Sequence, residues 1–99
     1  MTADESAAFE ALARRHGLPA VQLGAMQIEP EAIARVPRHL VERHRVMPVA
    51  VLENVLVLAM IDPANLAAVD DVSFVTRLRI EPVVTTEVEL ARAIAKHYL

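Results

Sequence analysis

Apolar residues gather unevenly along this chain, and the stretch from 46 to 84 holds two almost unbroken short runs and a third, more mixed one. The first run, Val46-Met47-Pro48-Val49-Ala50-Val51-Leu52, is separated from the second, Val55-Leu56-Val57-Leu58-Ala59-Met60-Ile61, only by Glu53-Asn54. Short runs rich in β-branched residues on either side of a two-residue polar break predict paired strands at 46–52 and 55–60 or 61. Asn tolerates positive φ, so Asn54 is expected to carry the turn where a glycine would be most comfortable. Asp62-Pro63 then predicts a helix start, with Asp62 as N-cap and Pro63 in the first turn. The inner face of that helix reads Leu66, Val69, Val72 or Ser73, and Val75 or Thr76, with Asp70 and Asp71 outside. A third strand at 79–84 completes a βαβ unit. Both hairpin strands are apolar on both faces, which predicts cover on two sides, and Pro48 predicts an edge or a bulge.

Around this centre the periodicity is helical. Residues 4–16 place Ala8, Phe9, Leu12 and His16 on one stripe, Gly17 supplies a left-handed helix end, and Pro19 prevents continuation. A short edge strand is expected at 21–23. Pro30 suits a first turn and Pro37 cannot sit inside a helix, so 30–36 and 37–44 read as two short helices. Ile33, Val36, Leu40 and Val41 would face the core, and Arg35, Arg38, Arg43 and Arg45 would face water. Thr86-Glu87-Val88-Glu89 has capping-box spacing and starts a last helix with Val88, Ala91, Ile94, Ala95 and Tyr98 as its buried stripe. The expected fold is α+β: a small mixed three-stranded sheet, made of a hairpin plus a βαβ crossover, flanked by helices. One domain over 1–99 is expected, with the N-terminal helix at 4–16 and the core from 20 to 99.

Composition narrows the chemistry. The chain is 55% hydrophobic but only 3% aromatic, so it offers little stacking surface for bases, and its net charge of −3 has the wrong sign for a nucleic-acid footprint. No nucleic-acid partner is expected. It has no cysteine, which removes disulfides, thiolate metal sites and a thiol nucleophile. The N-terminus lacks the pattern of a signal peptide and no window is long and apolar enough to cross a bilayer, so no direct membrane insertion is expected. His16, His39, His44 and His97 stand at no metal-ligand spacing, and no metal or cofactor is expected. Two glycines, Gly17 and Gly24, cannot build a phosphate-binding loop. Asp62, Asp70 and Asp71 read as a cap and a solvated pair rather than an acid–base set, and Ser6 and Ser73 lie in no nucleophile turn. The chain is therefore read as no enzyme. Its charge is polarised instead: residues 35–45 hold four arginines against one glutamate, and residues 53–71 hold four acids and no base. Such polarity steers partners, although it also describes the solvated faces of short helices.

In order and spacing these segments resemble the N-terminal domain of type II secretion and type IV pilus assembly ATPases, the GspE N-terminal domain, related to the MshEN domain. The resemblance runs through Leu12-Ala13-Arg14-Arg15-His16-Gly17-Leu18-Pro19, Val36-Pro37-Arg38-His39-Leu40 and His44-Arg45-Val46-Met47-Pro48-Val49. It is strongest in Leu56-Val57-Leu58-Ala59-Met60-Ile61-Asp62-Pro63, Asp70-Asp71-Val72-Ser73-Phe74-Val75-Thr76 and Ile80-Glu81-Pro82-Val83-Val84. It implies a cytoplasmic, non-catalytic adaptor that docks on a protein partner of a secretion or pilus machine, recruited to the inner-membrane face. The arginines Arg35, Arg38, Arg43 and Arg45 are the partner-binding candidates. Some relatives bind cyclic di-GMP through a tandem motif that opens Arg-Leu-Gly and closes on Gln. Here only its tail is present, at residues 9–15, and Arg15 stands at the Gln position, so a nucleotide second messenger is not expected at that site and remains the alternative function.

Overall fold

The computed structural model describes residues 3–98, and of residues 3–6 the backbone only; the expected extent of 1–99 is thus described except at residues 1, 2 and 99. The chain runs α1 (Ala3–His16), a 3-10 turn (Leu23–Ala25), α2 (Pro30–Arg35), α3 (Arg38–His44), β1 (Val46–Leu52), β2 (Val55–Met60), α4 (Leu66–Thr76), β3 (Arg79–Val84) and α5 (Glu87–Tyr98). Five helices around a mixed three-stranded sheet give the α+β class that the periodicity predicts. The sheet order is β1-β2-β3, with β1 antiparallel and β3 parallel to the central β2.

Both sheet edges are blunted, each by a different device. In β1 the register shifts between Pro48 and Ala50, so Pro48 stands at a bulge, as its missing N–H requires. Beside the bulge, Glu29 donates its N–H to the Val49 carbonyl at 2.9 Å and accepts the Val51 N–H on Oε1 at 3.1 Å. The N–H groups of Arg79 in β3 and of Thr85 just past its end bond inward to Asn54 and Met60 of the β2 side, while Val84 bonds outward to Pro19 and Val21. The backbone groups of a strand alternate in direction, so Pro82 occupies an outward position, where its lack of an N–H blunts the edge. The expected strand at 21–23 is reduced to a single bridge, Ala20 to Val84, because Leu23 turns into the core at the start of the 3-10 turn.

The two faces of the sheet are covered unequally. Leu56, Leu58, Met60, Val46, Pro48 and Val84 share one face, and all are buried. The opposite face is buried at Met47, Ala59 and Val83 but open at Leu52, Arg79 and Glu81. The expectation of cover on both sides therefore holds over half of the second face only. Around the sheet, α4 and α1 pack against β3, and α2, α3 and α5 against β1.

Several local expectations shift. Asp62 does not cap α4: its Oδ1 accepts the Ala64 N–H at 3.0 Å and closes a turn two residues on, and Asn65 caps the helix by accepting the Ala68 N–H at 3.3 Å. The inner face of α4 is Ala68, Val72 and Thr76, not Leu66 and Val75, which are 68% and 47% exposed. Small Ala68 lets the helix lie close on the sheet, and the buried Thr76 hydroxyl is satisfied by donating to the Val72 carbonyl at 2.7 Å. In α5 the buried positions are Glu89, Leu90, Ala93 and Ile94, while Val88, Ala91 and Ala95 face out. The capping box is half made: Thr86 Oγ1 accepts the Glu89 N–H, but the Glu89 carboxylate accepts the Gly24 N–H at 3.2 Å instead of turning back. On α1, Phe9, Leu12, Ala13 and His16 are half-buried and Ala8 is exposed. Gly17 ends α1 at φ 65°, as its position predicts. In the hairpin turn the positive φ falls on Glu53, at 57°, and not on Asn54.

Candidate functional site

The two short helices that present the arginines are fixed by prolines and by their apolar sides. Pro30 opens α2, Pro37 precedes α3, and Ala32, Val36, Leu40 and Val41 are buried. What remains outside is cationic, but the four arginines are not equivalent. Arg35 pairs with Glu31 at 3.4 Å and Arg38 with Glu42 at 2.7 Å, each one helical turn apart and exposed. Exposed pairs of this kind contribute little to stability, and they neutralise the charge offered to a partner. Arg43 and Arg45 are exposed and pair with no carboxylate among the described residues. Arg45 ends α3 in the left-handed conformation at φ 54°, its N–H bonded to the Val41 carbonyl.

His44, between these two arginines, turns inward. Its side chain is 11% exposed and its Nε2 lies 2.8 Å from Asp71 Oδ2 of α4. A carboxylate accepts and does not donate, so the imidazole donates from Nε2 and its tautomer is fixed. The contact holds α3 against α4 and sets the place from which Arg43 and Arg45 project. Asp71, its side chain 48% exposed, is therefore not simply a solvated partner of Asp70, which makes no such contact and is exposed. The pair is separated by 27 residues and no local motif announces it. A signal existed on α3: His44 follows Leu40 by four positions and Val41 by three, which places it on the buried stripe.

Elsewhere, two adjoining hollows of about 50 and 270 Å³ lie between α1, the 3-10 turn and α5 and share Glu89 and Arg92. The larger, floored by Phe9 and Val88, falls below the usual range of small-molecule sites, ~300–1,000 Å³. Glu89 is buried and its Oε1 is already engaged by the Gly24 N–H. No helix among the described residues is long and apolar enough to cross a membrane.

Comparison with known proteins gives these features a setting. The MshEN domain model matches residues 16–99. The type IV pilus assembly ATPase PilB of Myxococcus xanthus is 40% identical over 95 residues, which cover 96% of this chain and 17% of that protein. PilB of Thermus thermophilus is 31% identical over 86 residues, covering 85% of this chain and 10% of that one. The chain thus spans a small part of the length of the curated relatives it matches. Among solved structures, MshE with cdg superposes with a TM-score of 0.82 at 24% identity, over 95% of this chain and 68% of that one. The N-terminal domain of XpsE superposes with a TM-score of 0.74 at 23% identity, over 95% and 66%. At such identities the structural likeness is one of fold. The family match extends from the end of α1 through the sheet to α5, and on that ground this chain belongs to the MshEN domain family, the N-terminal domains of type IV pilus and type II secretion ATPases.

Proposed function

We propose that this domain is a non-catalytic docking module of a type IV pilus or type II secretion ATPase, and that it receives a protein partner of that machine at the cytoplasmic face of the inner membrane. The observation that carries the reading is the pair Arg43 and Arg45: two exposed cations, without a carboxylate partner among the described residues, held on either side of the inward-turned His44. Guanidinium groups in that state fit carboxylates on a partner by forked, charge-assisted bonds. Arg35 and Arg38 extend the surface but first have to leave Glu31 and Glu42.

The experiment is a titration of the domain with the purified cytoplasmic part of the machine's inner-membrane platform protein, at several salt concentrations. Arg43→Glu and Arg45→Glu are expected to weaken binding at least about tenfold and to flatten its salt dependence, with a smaller effect from Arg35→Glu. Binding indifferent to Arg43 and Arg45 removes these residues from the interface. The fold likeness to MshE with cdg favours a second reading, a regulatory domain for cyclic di-GMP. Titration with that nucleotide separates the two, since saturable binding of it, lost in the same arginine variants, makes the surface a phosphate site.

A further inference from the structure

The outer face of α4 is unusual for a helix packed on a sheet. Opposite its buried Ala68, Val72 and Thr76, it exposes Leu66 at 68% and Phe74 at 85%, with Asp70 one turn from each. Phe74 is one of two phenylalanines in the chain, and at the centre of an exposed face it contributes nothing to the core. Exposed apolar positions that line up in this way mark an interaction surface. The row reads apolar, acidic, apolar. Two such helices paired antiparallel about a two-fold axis, Leu66 over Phe74, would set Asp70 against Asp70, and opposed like charges disfavour that arrangement. The face therefore fits a basic helix rather than itself.

This chain carries one. With Leu90, Ala93 and Ile94 buried, α5 turns outward Val88, 59% exposed, together with Ala91, Arg92, Ala95 and Lys96. Arg92 and Lys96 stand one turn apart and pair with no carboxylate among the described residues. Val88 and the two alanines beside them form an exposed apolar track. We infer that the α4 face of one copy of this chain binds the α5 face of the next, Phe74 lying on the Val88–Ala95 track and Asp70 meeting Arg92. Because α4 packs against β3 and α5 against β1, and the residues concerned on both helices are exposed, one copy can use both at once. The contact is heterologous, and it generates a ring where the rotation closes and a filament where it does not. It uses neither Arg43 nor Arg45, so it stands or falls separately from the docking reading.

Sedimentation velocity of the full chain over a rising concentration series tests it. The weight-average mass of the wild type is expected to climb with concentration, and Phe74→Ala to move that rise about tenfold higher, the loss typical of a buried aromatic anchor. Asp70→Arg and Arg92→Glu, both at exposed positions, are each expected to abolish association while keeping the wild-type circular dichroism spectrum. An equimolar mixture of these two variants is expected to associate again, since each then offers the charge that the other lacks. A wild type that stays monomeric throughout overturns the inference. So does association that survives Arg92→Glu, which would assign the α4 face to itself, or a mixture of folded variants that stays monomeric.

Discussion

Glu53 stands at φ 57° in the hairpin turn, a conformation that L side chains adopt at a cost and glycine adopts freely. The positive φ at the first of the two turn residues, and not at Asn54, is the φ pattern of a type II′ turn, whose first position is the one that asks for glycine. Neighbouring charges do not compensate, since Glu53 is exposed and enters no ion pair among the described residues. Glu53→Gly is therefore expected to raise stability by about 0.5–1 kcal/mol, and Asn54→Gly to lower it by a few tenths through the freer unfolded chain. Urea unfolding of the two variants decides the matter, and a gain at 54 with none at 53 would contradict the turn geometry. Sequence alone pointed to the wrong one of the pair because Asn is the more tolerant residue, whereas the turn type, set by strand twist, selects a position before it selects a side chain.

At the level of elements, the hairpin and the crossover were legible because a buried strand leaves a plain signal, a short apolar run closed by a polar break. Their bounds follow the runs to within a residue. Helix faces were less legible. In α4 apolar residues lie on several sides, so the period places Val72 inside but cannot choose between Leu66 and Ala68 or between Val75 and Thr76, and the smaller residue of each pair is the one buried. In α5 the same ambiguity was resolved by Glu89, whose long-range bond to Gly24 turned an acidic position inward. The arginines of the candidate surface were visible as a charge run, but their inequality was not, because it depends on side-chain pairing within each helix and on His44 reaching a different one. The pairing between α3 and α4 has a measurable consequence. Removing Asp71 leaves a mostly buried imidazole without its acceptor, so Asp71→Ala is expected to cost about 1–2 kcal/mol. Asp70→Ala, one residue away and exposed, is expected to stay within about 0.5 kcal/mol in dilute protein. Equal effects at the two positions would mean that the 2.8 Å contact does not hold the helices together.

For the molecule as a whole, the decisive ties join the segment before the sheet to the segment after it. Thr85 Oγ1 donates to the Val21 carbonyl at 2.9 Å, Gly24 donates its N–H to Glu89, and the Tyr98 hydroxyl is shared between the carbonyls of Ile33 at 3.2 Å and Val36 at 3.1 Å. Tyr98 is the chain's one tyrosine, and it anchors the end of α5 to α2, next to the helix that carries the docking arginines. Burial makes the phenolate costly there and pushes its pKa from 10.0 up to about 12. Both carbonyls, moreover, require the neutral hydroxyl as donor. The sign follows from the direction of the shift. The folded state holds its proton more tightly than the unfolded one, so the contribution of Tyr98 is fully present below pH 10 and is lost as pH rises through about 12. Phenolate absorbance of the folded domain is accordingly expected to appear near pH 12, and unfolding by urea to become easier across the same interval. Tyr98→Phe removes the titrating group and one shared hydrogen bond. It is expected to be about 1 kcal/mol less stable than the wild type at neutral pH and to lack that part of the alkaline loss. If the wild-type tyrosine instead titrates near 10.0 while the domain is still folded, the anchor is open to solvent and α5 is held by its apolar stripe alone.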